Sequence, residues 1–162
     1  MYYIKVTMDI IHFKHLTEKE KELVFRAPAL VTYLIGGVDN KFDSTEEAQA
    51  KHIVHFRTST GDPILFDYFT EVEKVFPALL TELERRYEHL STEERTRVLS
   101  EELVGLNEVL PKIDSLYARS LLKSLKSLAR SIAEASGGTL GFLDITYEER
   151  QIAGLNMITF EP

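Results

Sequence analysis

Cysteine and tryptophan are both absent from this chain of 162 residues, and only eight glycines and five prolines occur in it. Without cysteine there are no disulfides, no thiol nucleophiles, no cysteine-ligated zinc and no iron–sulfur clusters. A chain of this kind fits the cytoplasm, which is the localisation that we expect. Its length is that of one ordinary domain with a substantial core.

Positive charge is also scarce, since 19 Lys and Arg residues face 26 Asp and Glu residues, for a net charge of −7 and a pI near 5.3. A general binder of nucleic acid needs the opposite excess, so we expect no nucleic-acid partner. The apolar runs are too short to cross a bilayer, which predicts no membrane span. The N-terminal sequence MYYIKVTMDIIHF lacks the features of a signal peptide and is expected to belong to the mature protein.

Helix signals dominate the rest of the chain and predict an all-α fold of about seven helices. Capping-box spacing occurs four times before a helical pattern, at Thr17 with Glu20, Ser44 with Glu47, Ser91 with Glu94, and Thr146 with Glu149. The predicted helices cover about 18–36, 45–58, 63–75, 77–89, 92–110, 112–135 and a segment after 146. We expect a single helical domain over 17–162. Residues 1–16 form an N-terminal extension in which YYIKV alternates like a strand and MDIIHF has the pattern of a helical turn.

Prolines mark predicted breaks in these helices. Pro28 lies inside the first helix and is expected to kink or split it, because the ring removes an amide donor and clashes with the preceding turn. Asp62 and Pro63 have the residue types of an N-cap and a first helical position, and Pro77 is predicted to begin another helix. The helix that starts after Ser91 should end before Pro111.

The predicted helix 112–135 carries three stripes. Its apolar arc contains Ala118, Leu121, Leu122, Leu125, Leu128, Ala129, Ile132 and Ala133. A flank of small polar residues consists of Ser120, Ser124, Ser127 and Ser131. A basic ridge consists of Arg119, Lys123, Lys126 and Arg130, at i, i+4, i+7 and i+11. The ridge has two interpretations, a solvated helix face or a docking strip for an acidic protein partner or phosphate.

A helix–loop–helix pattern occurs twice, about 100 residues apart, in units of about 18–58 and 113–158. Each copy has an apolar helix end, a Gly pair, an apolar residue followed by Asp, and a capping box. The corresponding pairs are Phe42-Asp43 with Leu143-Asp144, and Ser44 to Glu47 with Thr146 to Glu149. The repetition indicates one structural solution used twice, with its entry geometry set by Gly and the N-cap.

The loop of the first copy has two interpretations. It contains Asp39, Asn40, Asp43, Glu46 and Glu47, whose oxygens suit a hard cation such as calcium or magnesium. An EF-hand is excluded, because a loop starting at Asp39 has Lys, Ser and Ala at its third, sixth and twelfth positions. The alternative is structural, since Asp and Ser are ordinary capping residues and Glu is favoured in a first helical turn.

The segment V-D-N-K-F-D-S-T-E-E at 38–47, with a second copy at G-G-T-L-G-F-L-D-I-T-Y-E-E, resembles the signature of the TerB-like family, named for a tellurite-resistance protein. The resemblance implies a helical domain with pseudo-repeated halves and a role in bacterial stress without a defined catalytic activity. It also implies cation binding by Asp39, Asp43 and Glu47. The family usually has Gly after the first Asp, where this chain has Asn40, a residue that also tolerates left-handed backbone.

Two functions of different classes follow from the sequence. The first is a non-enzymatic interaction module with a protein partner and a weak divalent-cation site in the 39–47 loop. The second is a helical metalloenzyme or small-ligand binder that uses His52, His55 and nearby carboxylates. Four aromatic residues are expected in the core, and any exposed remainder would form a homodimer face: Phe66, Tyr68, Phe69 and Phe76.

Overall fold

The regular elements of this protein are helical throughout the part that the computed structural model describes, residues 10–37, 48, 50–55, 61–135 and 147–161. The α-helices are α1 (Glu18–Gly36), α2 (Phe66–Tyr87), α3 (Thr92–Val104), α4 (Leu106–Val109), α5 (Ser115–Ala135) and α6 (Tyr147–Ala153). Short 3-10 helices cover Ile11–Phe13, Pro63–Leu65 and Leu110–Lys112. Residues 50–55 are also helical. The all-α prediction is confirmed, and the number of helices is close to the seven expected.

The helix starts follow the capping signals in the sequence. Thr17 accepts a hydrogen bond from the amide of Glu20 at 3.2 Å, and the Glu20 carboxylate accepts one from the amide of Thr17 at 2.8 Å. Ser91 and Glu94 form the same reciprocal pair at the start of α3. Asp62 caps the 3-10 turn that leads into α2 by accepting from the Ile64 amide. Each cap satisfies amides that have no partner inside the helix, which fixes where the helix begins.

Helix α1 is the central helix of the fold. It packs against α2, α3, α4 and α5. Every residue from Ala27 to Gly36 is buried, so this half of α1 has no solvent face. A helix that is apolar all round can be stable only when other elements surround it.

The α1 helix continues through Pro28 instead of dividing there. Because proline has no N–H, the carbonyl of Val24 loses the hydrogen bond that it would receive within the helix. The hydroxyl of Tyr68, from α2, donates to this carbonyl at 2.7 Å. The Tyr68 side chain is completely buried, so water does not compete for the bond. A residue of a neighbouring helix therefore replaces the donor that Pro28 removes.

The predicted break at Pro77 is wrong, because α2 is one helix in which Pro77 is an interior residue. An interior proline costs about 3 kcal/mol. Buried apolar residues continue on both sides of it along one face and outweigh that cost: Val72, Val75, Phe76, Leu79, Leu80 and Leu83. Thr81 donates to the Pro77 carbonyl at 3.0 Å, as Thr32 does to the Pro28 carbonyl at 2.8 Å.

The helix predicted for 92–110 is interrupted at Gly105, where α3 ends and α4 begins. A Cβ atom on Gly105 would lie 2.9 Å from Leu23 Cδ2 and 3.1 Å from the Glu102 carbonyl oxygen, so a side chain here would require Leu23 of α1 to shift. The helix predicted from 112 begins instead at Ser115. Asp114 accepts from the Tyr117 amide at 3.1 Å and supplies the cap that the sequence analysis missed.

The expected aromatic core is confirmed at Tyr68, Phe69 and Phe76 but not at Phe66, of which 54% is exposed. Phe66 is the first residue of α2, next to the buried Leu65, and points away from the core. The buried ring cluster also includes Phe13, whose ring meets Tyr68 edge-on at 6.2 Å.

A buried cation lies at the carboxyl end of α1. Only 6% of Arg95 is exposed, and its guanidinium donates to the carbonyl of Gly37. The same group lies 5.2 Å from the centre of the Tyr33 ring. Arg95 therefore satisfies a carbonyl at the helix end, where the helix dipole also favours positive charge, and joins α3 to α1.

Two buried tyrosines provide a matched test of this packing. Tyr68→Phe leaves the Val24 carbonyl without a donor, so we expect a loss of about 1–3 kcal/mol in the free energy of unfolding. The Tyr117 hydroxyl is buried and has no hydrogen-bond partner in the described part of the chain, so Tyr117→Phe should be neutral or stabilising. When Pro28→Ala is also present, the new amide at position 28 can donate to the Val24 carbonyl. Tyr68→Phe should then lower the free energy of unfolding by less. Urea denaturation of the variants measures each change; equal costs for the two tyrosines would contradict the assignment.

Candidate functional site

The three stripes predicted on the sequence of α5 are present in the structure. The apolar arc faces the core: Ala133 is half-buried, Leu122 is 9% exposed at the edge of the arc, and the other members are buried. The four serines of the flank are half-buried. On the basic ridge Arg119, Lys123 and Arg130 are exposed, and Lys126 is half-buried. The amphipathic pattern was therefore sufficient to predict which side of α5 meets solvent.

The basic ridge lines an open groove of about 440 Å³. Its other lining residues are Leu122, Ser127 and Phe160. The four cations span about 16 Å along the helix at 1.5 Å per residue. None of the four forms an ion pair within the described residues, although exposed cations elsewhere, such as Arg97 with Glu101, do so. The groove therefore presents four positive charges that form no ion pair with a carboxylate of the described residues.

The segment after α6 supplies Phe160, the groove residue that does not belong to α5. The side chain of Asn107, in α4, holds this segment by two hydrogen bonds. Its Nδ2 donates to the carbonyl of Met157 at 2.9 Å, and its Oδ1 accepts from the amide of Thr159 at 2.7 Å. A single amide side chain thus fixes the backbone immediately before Phe160.

The chain reaches this position through a turn at Leu155. The amide of Leu155 donates to Ile152 and that of Asn156 donates to Gln151, the pattern of a Schellman motif at the end of α6. Leu155 has a φ of 52°, a left-handed conformation usually taken by Gly, and its side chain is fully buried. Burial of the leucine side chain offsets a backbone cost of about 1–2 kcal/mol.

The predicted cation site lies outside the described residues. This applies to Asp39, Asn40, Asp43 and Glu47, and to the corresponding loop of the second copy. The site, the repeat and the TerB-like resemblance therefore remain predictions. Within the ranges given above, no group of three or more His, Asp or Glu side chains is arranged to hold a metal ion.

The alternative site at His52 and His55 is described only in part. Both side chains are exposed. Nδ1 of His55 contacts Oε1 of Glu73, so the residue connects the helical segment 50–55 to α2. This contact brings one imidazole and one carboxylate together, and the second function remains a prediction from sequence.

Comparison with protein-family models, with curated proteins and with solved structures found no match to this chain. Among the residues described, no helix combines the length and the apolar character that crossing a membrane requires. The function must therefore be argued from the residues themselves.

Sequence reasoning identified the basic ridge but missed Phe160 and Asn107. The ridge is visible because its members recur with helical spacing inside one helix. Asn107 and Met157 are separated by 50 residues, and no local pattern connects them. The sequence offered only two features near this part of the groove, an asparagine at position 107 and Gly154 in the turn before Leu155. Neither residue by itself indicates a groove.

The unpaired ridge also predicts a measurable repulsion within α5. Lys123 has like charges at i−4 (Arg119) and i+3 (Lys126), and each such pair destabilises a helix by about 0.2–0.5 kcal/mol. Lys123→Gln should therefore raise the free energy of unfolding by a few tenths of a kcal/mol, on the order of these pair terms. The matched control Arg97→Gln removes the ion pair with Glu101 at 3.1 Å and should lower the free energy of unfolding. Both changes should shrink in high salt. Destabilisation by Lys123→Gln would mean that Lys123 has a stabilising partner.

Proposed function

We propose that this protein is a cytoplasmic, non-enzymatic interaction module that binds an acidic protein segment in the groove beside α5. The observation that carries the proposal is the set of four cations along one groove, without ion-pair partners in the described structure. Clustering cations at i, i+4 and i+3 spacing costs stability in the free protein. A bound acidic segment removes that cost, which supports binding as the reason for the arrangement.

The overall charge of the protein supports a short acidic partner over a nucleic acid. With a net charge of −7, the chain as a whole repels long polyanions. Screening limits this repulsion to about 8 Å at physiological ionic strength, so a short segment inside the groove interacts mainly with the four cations. A longer polyanion extends beyond the groove onto a protein of negative net charge.

The proposal is tested with a fluorescently labelled peptide of alternating Glu and Gly residues, with binding followed by anisotropy. We expect measurable affinity at low salt, a loss of affinity as salt increases, and at least a tenfold loss in the Lys123→Glu/Lys126→Glu variant, because charge reversal makes the groove repel the peptide. The melting temperature of that variant should stay close to that of the parent protein.

The matched control is Lys14→Glu/Lys19→Glu, which makes the same change in net charge at two exposed lysines outside the groove. It should retain nearly the full affinity. An equal loss in both double variants would show that the peptide responds to net charge alone, and absence of binding to the parent protein would overturn the proposal.

We also propose that the 39–47 loop binds a divalent cation weakly, which the sequence of that loop and its TerB-like resemblance support. A ligand that binds only the folded protein raises its stability, so millimolar calcium or magnesium should raise the melting temperature of metal-stripped protein. The rise should disappear in Asp39→Ala/Asp43→Ala and persist in Lys123→Glu/Lys126→Glu. No shift with calcium, magnesium, manganese or zinc would leave the loop as a capped turn.

A further inference from the structure

The groove beside α5 is not purely cationic. Leu122 and Phe160 contribute apolar surface between and beside the four charges. The methylene stems of Lys and Arg add to this surface, because only the ends of these side chains require water. A segment made only of acidic residues would pair with the charges and leave the apolar lining exposed.

The apolar wall of the groove consists of Leu122 and Phe160, and several contacts hold the backbone next to Phe160 in place. Asn107 bonds the backbone on both sides of Ile158, at Met157 and Thr159, and Ile158 itself is 3% exposed. Phe160, one residue further on, is half-buried and packs partly against the core. These contacts hold the ring at the groove while leaving part of it accessible. Aromatic residues, Phe among them, and Arg are enriched at protein–protein interfaces.

We infer that the partner is an acidic segment that carries one large apolar side chain, which contacts Leu122 and Phe160 while neighbouring carboxylates pair with the ridge. This inference rests on the proposed function and adds the apolar contact to it. Asn107 acts as a positioning residue, because it touches the backbone that presents Phe160 and does not line the groove. The ridge charges attract carboxylates at the groove itself, and the apolar contact distinguishes one acidic segment from another.

The size and charge pattern of the groove agree with this partner. About 440 Å³ lies within the 300–1,000 Å³ that is usual for ligand pockets and accommodates a large side chain. An extended segment rises about 3.4 Å per residue, so some five residues span the 16 Å of the ridge. Such a segment offers carboxylates to the cations and one apolar residue to the wall.

The experiment compares two peptides that differ at one position. Both alternate Glu with Gly, and the central residue is Phe in one and Ser in the other. The parent protein should bind the Phe peptide at least fivefold more tightly. Phe160→Ser and Asn107→Ala should abolish this preference while retaining the affinity for the Ser peptide. Phe160→Leu should restore most of it, because an apolar contact remains.

The possible outcomes separate the inference from the proposed function. If both peptides bind the parent protein equally, the apolar contact is absent and the acidic partner stands. If neither peptide binds, both proposals fail. If a single-stranded oligonucleotide of the same length binds more tightly than the Phe peptide and competes with it, the partner is a nucleic acid and the inference is wrong. If Asn107→Ala is unfolded by circular dichroism, Phe160→Ser alone decides the question.

Discussion

The hydrogen bond from Tyr68 to the carbonyl of Val24 joins the interior of α1 to α2, at the point where Pro28 removes a donor from α1. It lies in the middle of α1, a helix that contains a proline and whose second half is buried on all sides; because the bond itself is buried, an unpaired carbonyl there would be costly. Because the donor comes from α2, the Val24 carbonyl gains its hydrogen bond only when α2 packs against α1. The helices that surround α1, including α5, all pack against it as a central rod, and this bond satisfies the carbonyl that Pro28 leaves without a donor inside that rod.

The groove follows from the way α5 is attached to that rod. Its buried leucines face α1, which forces the basic ridge to the opposite side, and Leu122 lies at the boundary between the two. Asn107, in the short helix α4, then holds the last part of the described chain beside the ridge. The packing of the core thus determines where the charges of the basic ridge lie. The hydrogen bonds of Asn107 determine that Phe160 lies next to them.

The sequence predicts this protein well where the physical cause is local. The capping boxes at Thr17 and Ser91 located two helix starts, since both partners of each box lie within four residues. The prediction failed at Pro77, because the local cost of proline is visible in the sequence and the packing that offsets it is not. The pairings of Tyr68 with Val24 and of Asn107 with Met157 join segments 44 and 50 residues apart, and periodicity contains no information about them.

A basic groove on an acidic protein has a physical advantage over a basic protein with the same groove. Unlike a protein of net positive charge, this one does not attract every polyanion from a distance, and binding depends on contact with the four cations themselves. Within contact distance screening is weak, so charges spaced over about 16 Å act together on a segment of matching length. The apolar contact at Phe160 then adds a contribution to the binding free energy that salt does not screen. Affinity that combines the two should fall with salt to a residual apolar level instead of to zero, which distinguishes a shaped site from a charged surface.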